Sequence, residues 1–361
     1  MGHFLIGGIK YVQGDLIMTE TQTLISKVVP EMVDLFEKRY NILRAIYSHQ
    51  PVGRRTLAGL LDMGERIIRS DTAILKDTGL IDIKPSGMII TEEGEAILDG
   101  LRQYANAIKG FNVLELEVAA VLGISRVIIV LGDLDNDPSV LSAIGKAAAV
   151  LLVDIINCGN KIAVTGGSSV AAVASALIKP KALTDIVVLP ARGGIGKEME
   201  YQSNTLASIF AKKLGGQYRL IHLPDQLTAK AAEMLLNDPY THSVIEEVKN
   251  SDILICGIGR AQEMADKRNL LKDQTIALEK AGAVAEAFGY YFNKQGDIIF
   301  ATSSIGLHIS DLKAIPKVVG VAGGKQKADA IIAVLTGWKN TTLITDEFAA
   351  KEIIRLANEH G

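Results

Sequence analysis

Apolar positions in the first third of the chain recur at helical spacing and then give way to alternation. From Val29 onward Met32, Leu35, Phe36, Leu43, Ile46 and Tyr47 collect on one face of a helix that has Pro30 near its first turn and ends near His49-Gln50-Pro51. A short helix over Arg54–Leu61, a turn at Asp62-Met63-Gly64 and a further helix over Glu65–Thr78 come next. At 100° per residue, Ile67, Ile68, Ile74 and Leu75 fall on one side of that helix, the expected core side, and Arg66, Arg69, Ser70 and Ala73 on the other. Gly79 is placed to end it in the left-handed region. Leu80-Ile81-Asp82-Ile83-Lys84 and Met88-Ile89-Ile90-Thr91 then alternate around Pro85-Ser86-Gly87, which predicts a hairpin. Thr91 is expected to cap a helix with Glu92 and Glu93 in its first turn, running towards Lys109 and closed by Gly110.

Helix, short helix, turn, helix and two-stranded wing is the order of a winged helix-turn-helix. With the Glu65–Thr78 helix in a major groove, Arg66, Arg69 and Ser70 face phosphates or base edges, Arg54 and Arg55 the DNA backbone, and Lys84 extends from the wing. Any one of these residues alone would fit a solvated helix face. Their coincidence with the module favours double-stranded DNA as a partner.

From Asn112 on, the period switches repeatedly between strand and helix. Arg126–Leu131 is an apolar run followed by Gly132-Asp133, and Pro138–Asn157 is an alanine-rich helix. Lys161–Leu177 reads as a buried strand, a Gly166-Gly167 turn and a helix that Ser168 or Ser169 can cap. Ile186–Pro190 leads into Ala191-Arg192-Gly193-Gly194-Ile195-Gly196, Ile253–Cys256 into Gly257-Ile258-Gly259, and Val318–Val321 into Ala322-Gly323-Gly324. A strand at Thr341–Thr345 and a closing helix at Asp346–Asn358 complete the series. Such alternation predicts an α/β fold, a Rossmann-like, largely parallel sheet whose glycine loops converge at the carboxyl ends of the strands. The domain boundary is expected near Gly110, with a DNA-binding domain over 18–110 and a ligand-binding domain over 111–361. Met1–Ile17 differs in texture from the residues after it and reads as a non-native or upstream extension, or an alternative start.

Composition narrows the classes. The chain has 361 residues, 48% apolar and 22% charged, which allows two domains with real cores. A formal net charge of −3 excludes bulk electrostatic attraction to nucleic acid, so any DNA contact must be local. Cys158 and Cys256 lack the paired spacing of zinc or redox sites and are expected to be reduced and structural. The first residues make neither a membrane span nor a signal peptide, which points to the cytoplasm and to no membrane partner.

The Gly166-Gly167 turn offers backbone amides at the positive end of a helix, a setting suited to phosphate, although the same turn also occurs as a plain strand-to-helix connection. Cationic residues accompany the glycine loops: Arg192, Arg260, Lys267, Arg268, Lys325 and Lys327. Gln202, Asn204 and Glu286 are candidates for sugar hydroxyls. Nucleotide motifs fail, since Gln262 stands where a dinucleotide fingerprint needs its third glycine and Gln326 where a Walker loop needs a hydroxyl. Six dispersed histidines make no metal pair, and no Gly-x-Ser-x-Gly elbow ends a strand; no cofactor, metal or catalytic set is expected, and a sensor is favoured over an enzyme.

The segments Pro51-Val-Gly-Arg-Arg55, Ala163-Val-Thr-Gly-Gly167, Pro190-Ala-Arg-Gly-Gly194, Glu286–Phe292 and Val321-Ala-Gly-Gly324 through Lys327 together resemble the SorC group of transcriptional regulators, and within it the repressors of glycolytic genes. The resemblance runs from Met18 nearly to the end. It implies a C-terminal domain like the phosphosugar isomerase and glucosamine-6-phosphate deaminase fold turned into a receptor, with fructose 1,6-bisphosphate or a related phosphosugar as effector. By matching positions, Gly166, Gly167, Ser168 and Ser169 would hold one phosphate, and Arg192, Gln202, Lys267 or Arg268, Glu286 and Lys327 would complete the site. It also implies a homodimer or homotetramer on operator DNA. The alternative is a phosphosugar isomerase or deaminase with an added DNA-binding arm.

Overall fold

Helix α1 spans Pro30–His49, its proline occupying the first turn where no intrahelical amide is needed. The computed structural model describes residues 5–6, 9–10, 28–101, 111–178, 180, 183–193, 198–221, 234–235, 237–302 and 306–360. Most of the expected 1–17 extension, the stretch 18–27, the helix end at Lys109 and Gly110, and Gly194-Ile195-Gly196 lie outside these residues. The chain divides into two compact units, Met1–Asn112 and Val113–Gly361.

In the first unit α1 buries Tyr40, Ile42, Leu43 and Ile46, all in its C-terminal half, and Met32 and Leu35 remain exposed. Helices α2 (Arg54–Leu60) and α3 (Glu65–Asp77) follow across a short turn. The buried residues of α3 are Ile68, Asp71, Thr72 and Leu75. Ile67 and Ile74, expected inside, are instead 46% and 36% exposed. The reason is electrostatic: the Asp71 carboxylate meets Lys38 at 3.0 Å and Arg39 at 3.1 Å, both from α1. Thr72 donates its hydroxyl to the Ile68 carbonyl at 2.7 Å, so both buried polar groups are satisfied. Gly79, at φ +79°, closes α3 as expected: its amide and that of Leu80 reach back to the Lys76 and Leu75 carbonyls at 2.9 Å each.

Strands β1 (Ile81–Lys84) and β2 (Gly87–Ile90) pair antiparallel as the wing. Val52 adds a short third rung, exchanging two backbone hydrogen bonds with Met88 at 3.1 and 2.8 Å. The Thr91 hydroxyl accepts from the Gly94 amide at 3.0 Å and so caps α4 (Glu92–Gly100). This is the anticipated winged helix-turn-helix.

The second unit follows α5 (Phe111–Leu122) with β3 (Arg126–Val130), α6 (Val140–Ile155), β4 (Lys161–Val164), α7 (Ser168–Ala176), β5 (Val187–Pro190), α8 (Ser203–Leu214) and β6 (Gln217–Tyr218). Then come α9 (Pro239–Lys249), β7 (Ile253–Gly257), β8 (Gly259–Arg260), α10 (Ala261–Lys267), α11 (Lys272–Lys280), β9 (Ala283–Ala287), β10 (Tyr290–Asn293) and β11 (Ile298–Ala301). The chain closes with β12 (Lys317–Val321), α12 (Ala328–Leu335), β13 (Thr341–Asp346) and α13 (Glu347–His360). Seven strands form one sheet in the order β3-β13-β12-β7-β4-β5-β6, and every pair in it is parallel. Ile144, Ala148 and Leu152 of α6, Val170 and Val173 of α7 and Phe210 of α8 pack on Ile162, Val164, Val188 and Ile255 as its core. An antiparallel sheet, β8-β9-β10-β11, stands beside it and has no counterpart in the alternation read from the sequence. Its strands are two to five residues long, and the run from Ala283 to Asn293 hides a tight hairpin at Phe288-Gly289.

Two helical glycines of the first unit should respond to alanine with opposite signs. Gly59 has open space around its missing Cβ, so Gly59→Ala should stabilise by up to about 1 kcal/mol through helix propensity. A Cβ on Gly94 would collide with the Leu80 carbonyl oxygen, so Gly94→Ala should destabilise by about 1–3 kcal/mol despite the same propensity gain. Urea unfolding of the two variants checks both signs.

Candidate functional site

Strand β4 sends the chain towards β5 on one side, while its other neighbour β7 continues towards β12 on the opposite side. The carboxyl ends of β4 and β7 therefore flank a switch point of the sheet, where a crevice forms because the connections leaving the two strands diverge. Two hydrogen bonds brace that crevice: the Thr165 amide donates to the Ile255 carbonyl at 3.0 Å, and the Thr165 hydroxyl accepts from the Gly257 amide at 3.2 Å. A cavity of about 350 Å³ opens there.

Gly166 and Gly167 are required by close approach. A Cβ on Gly166 would lie 2.5 Å from the Tyr201 carbonyl oxygen, and the Gly167 amide donates to that same oxygen at 2.8 Å. Gly167, at φ +112°, is itself the N-cap of α7, which corrects the expectation that Ser168 or Ser169 caps it. The serines occupy the first two helical positions, so neither hydroxyl is drawn into a cap. The first-turn amides of α7, which have no partner inside the helix, stand at the cavity wall with them.

All ten residues proposed for a ligand line this one cavity: Gly166, Gly167, Ser168, Ser169, Arg192, Gln202, Lys267, Arg268, Glu286 and Lys327. Arg192 is buried at the end of β5, where the Ser203 hydroxyl donates to its carbonyl at 2.7 Å and its guanidinium donates to the Thr302 hydroxyl at 3.2 Å. Its guanidinium also lies over Gly289, where any side chain would strike it. Arg268 and Glu286 form a buried pair at 2.6 Å, and Glu286 accepts in addition from the Gly289 amide at 2.5 Å. Lys267 is exposed on the wall and Lys327 is half-buried. Burial pushes the Lys327 ammonium below the ordinary lysine range; Lys267 and Arg260 add to the effect, and Glu263 and Asp135 oppose it.

Three further candidates lie off the wall. Arg260 meets Glu263 at 3.2 Å and Gln326 at 3.0 Å, Lys325 meets Glu352 at 3.8 Å, and the Asn204 amide group is held by the Ile221 backbone at 2.8 and 3.1 Å. The Gly323-Gly324 loop faces carboxylates: the Gly324 amide donates to Asp346 at 2.5 Å and the Gln326 amide to Asp135 at 3.0 Å. Burial raises the Asp346 pKa above the ordinary carboxylate range. Sequence reasoning missed the acidic wall residues Glu198, Glu263 and Asp266 and the apolar Ile258 and Phe288. A Phe-Gly turn signal at 288–289 was the one available cue. Both cysteines are free thiols: Cys256 is buried with its thiol pushed up to about 12, whereas Cys158 is exposed and has no place in the core.

In the first unit Arg54, Arg55, Arg66, Arg69, Ser70 and Lys84 are all exposed, and Arg55 lies 3.4 Å from Glu65. Among the described residues no helix is long and apolar enough to cross a membrane.

Removing one partner of the buried Arg268–Glu286 pair leaves a charge with nothing to balance it. Glu286→Gln should therefore cost about 3 kcal/mol, while Arg268→Met with Glu286→Met should recover most of the loss. Denaturant unfolding of the single and double variants measures the difference.

Comparison with known proteins places both units. The model for the CggR N-terminal DNA binding domain matches residues 35–105, and the model described as "Putative sugar-binding domain" matches residues 107–355. Central glycolytic genes regulators of Priestia megaterium and Bacillus subtilis are 38% and 37% identical, each over 91% of this chain and over 96% and 97% of their own lengths. The crystal structure of a SorC family transcriptional regulator from Enterococcus faecalis is 38% identical and superposes with a TM-score of 0.63, covering 67% of this chain and 99% of that one. These relatives are transcriptional regulators, which sets aside the isomerase or deaminase alternative. The chain belongs to the central glycolytic genes regulator family of SorC-type transcriptional regulators, with an N-terminal DNA-binding domain followed by a sugar-binding domain.

Proposed function

We propose that this chain represses glycolytic genes, of the glyceraldehyde-3-phosphate dehydrogenase operon type, by binding operator DNA through residues 18–110, and that it releases the operator when fructose 1,6-bisphosphate or a related phosphosugar occupies a site in residues 111–361. One observation carries the reading: a single cavity at the sheet's switch point gathers a helix N-terminus, two serines and four cationic side chains. Phosphate is the ligand such a wall suits, because amides and cations both favour a dianion there. The acidic residues of the same lining, Glu198, Glu263 and Asp266, are suited to sugar hydroxyls. Gly166, Gly167, Ser168, Ser169 and Arg192 are assigned to one phosphate. Lys267, Arg268 and Lys327 are assigned to the second, with Gln202 and Glu286 between them. No cofactor is required.

Release follows from linkage. An effector lowers operator affinity only by binding more tightly to the assembly that holds DNA poorly, and 1–3 kcal/mol of such preference is a typical coupling, roughly 5–150-fold. We assign the working form to a cytoplasmic homodimer or homotetramer. The exposed Val113 and Leu116 of α5 and Val150 of α6 support subunit association.

On the DNA side, Arg66→Ala should weaken binding to a matched operator by about 1–3 kcal/mol with a smaller loss on scrambled duplex, read by gel shift. Equal losses on both duplexes would reassign Arg66 to the phosphate backbone. On the effector side, Lys327 binds an anion only while protonated. Effector-induced release should therefore weaken as pH rises from neutral into the alkaline range, earlier than an ordinary lysine would dictate, because burial lowers its pKa. Lys327→Arg should abolish that alkaline decline, and Lys327→Met should raise the concentration of fructose 1,6-bisphosphate needed for release at least about tenfold, without altering operator binding in its absence. Unchanged release by Lys327→Met would sink the assignment.

A further inference from the structure

We propose that Ile67 reads the 5-methyl group of a thymine in the operator, an inference that rests on α3 lying in a major groove. Helix α3 exchanges the usual positions of its residues. Two of its four buried positions hold Asp71 and Thr72, which need Lys38, Arg39 and the Ile68 carbonyl to satisfy them. Ile67, an isoleucine whose burial would favour the fold, is 46% exposed instead. Violations of local rules of this kind tend to fall at functional positions.

The position of Ile67 points to its partner. It sits in the first turn of α3, the part of a recognition helix that meets base edges. Beside it on the outward side stand Ser70, one turn on, and Arg66, both exposed and both suited to phosphates or base polar atoms, while Arg69 is exposed on the opposite flank. An isoleucine set among them has one apolar partner in a major groove, the thymine methyl, which no other base presents there. A protein partner is disfavoured by the pattern. A helix docking on this side would want apolar residues near both Ile67 and Ile74, but the position between them carries Ser70, and Asp71 is turned into the core.

Full-length protein is used to enrich duplexes from a random-sequence double-stranded library, and each thymine of the recovered consensus is then replaced singly by deoxyuridine. That replacement deletes the methyl group and leaves every hydrogen-bonding atom in place. One thymine per bound helix should prove sensitive, with wild-type affinity falling about fourfold, the ratio equivalent to about 0.8 kcal/mol for one buried methyl group. Ile67→Ala should bind the thymine duplex more weakly by a similar factor or more and show no further loss on the deoxyuridine duplex. Because the side chain is exposed, its melting temperature should match the wild type. Two results overturn the inference: a consensus in which no deoxyuridine substitution matters, or an Ile67→Ala variant that remains as sensitive as the wild type. Failure of the underlying reading looks different, since then no consensus is enriched or Arg66→Ala binds it as tightly as the wild type.

Discussion

The divergence of the connections that leave β4 and β7, two parallel neighbours, is the constraint on which the second unit depends. A parallel sheet wound from both sides must have a place where the connections leaving adjacent strands lead in opposite directions, and the carboxyl ends of the strands are left open there. Thr165 ties the mouth of the gap to the end of β7 by bonding to both Ile255 and Gly257. Gly166 is then pinned by the backbone of Tyr201, so α7 starts at a set height above the sheet with its first-turn amides at the gap. The cavity is a consequence of topology before any side chain is considered.

Side chains then decide what the cavity tolerates. Of its cations, Arg268 is already engaged by Glu286, and the guanidinium of Arg192 is held by Thr302 against Gly289. These two act as fixed parts of the wall, since moving either would expose a buried charge without its partner. Lys327 is different in kind. Its depressed pKa records an ammonium that burial penalises, and an incoming anion would relieve the penalty. The proposed phosphate assignment draws on this difference between two fixed arginines and one lysine penalised by burial, with Glu198, Glu263 and Asp266 in the same lining.

How much of this was legible differs by residue. The wing, the Gly79 stop, the Thr91 cap and the parallel strands were readable because each depends on local chemistry or on a period. The ten cavity residues were named from glycine loops and the family resemblance, and topology brings them to one wall because all lie after strand ends or on the elements that cover them. Arg260, Lys325 and Asn204 carried the same signal and do not line the cavity; neighbours more than sixty residues away, or a backbone segment on another loop, engage two of them, and no spacing encodes that. The antiparallel sheet escaped because its strands are too short to show a period. Ile67 and Ile74 were misplaced for a sharper reason: hydrophobicity ranks isoleucine inward, but Lys38 and Arg39 on α1 make a carboxylate the better occupant of the facing position.

That exchange bears on how the two units divide the work. With a net charge of −3 and Glu65 beside Arg55 at the head of α3, long-range attraction to DNA is weak, and screening by physiological salt weakens it further. Affinity must then come mostly from short-range contacts along α3 and the wing, which also discriminate sequence. A repressor of this design has little non-specific binding to hold it on DNA once those contacts are disturbed. A modest effector preference between assemblies, on the order of 1–3 kcal/mol, is therefore enough to move it.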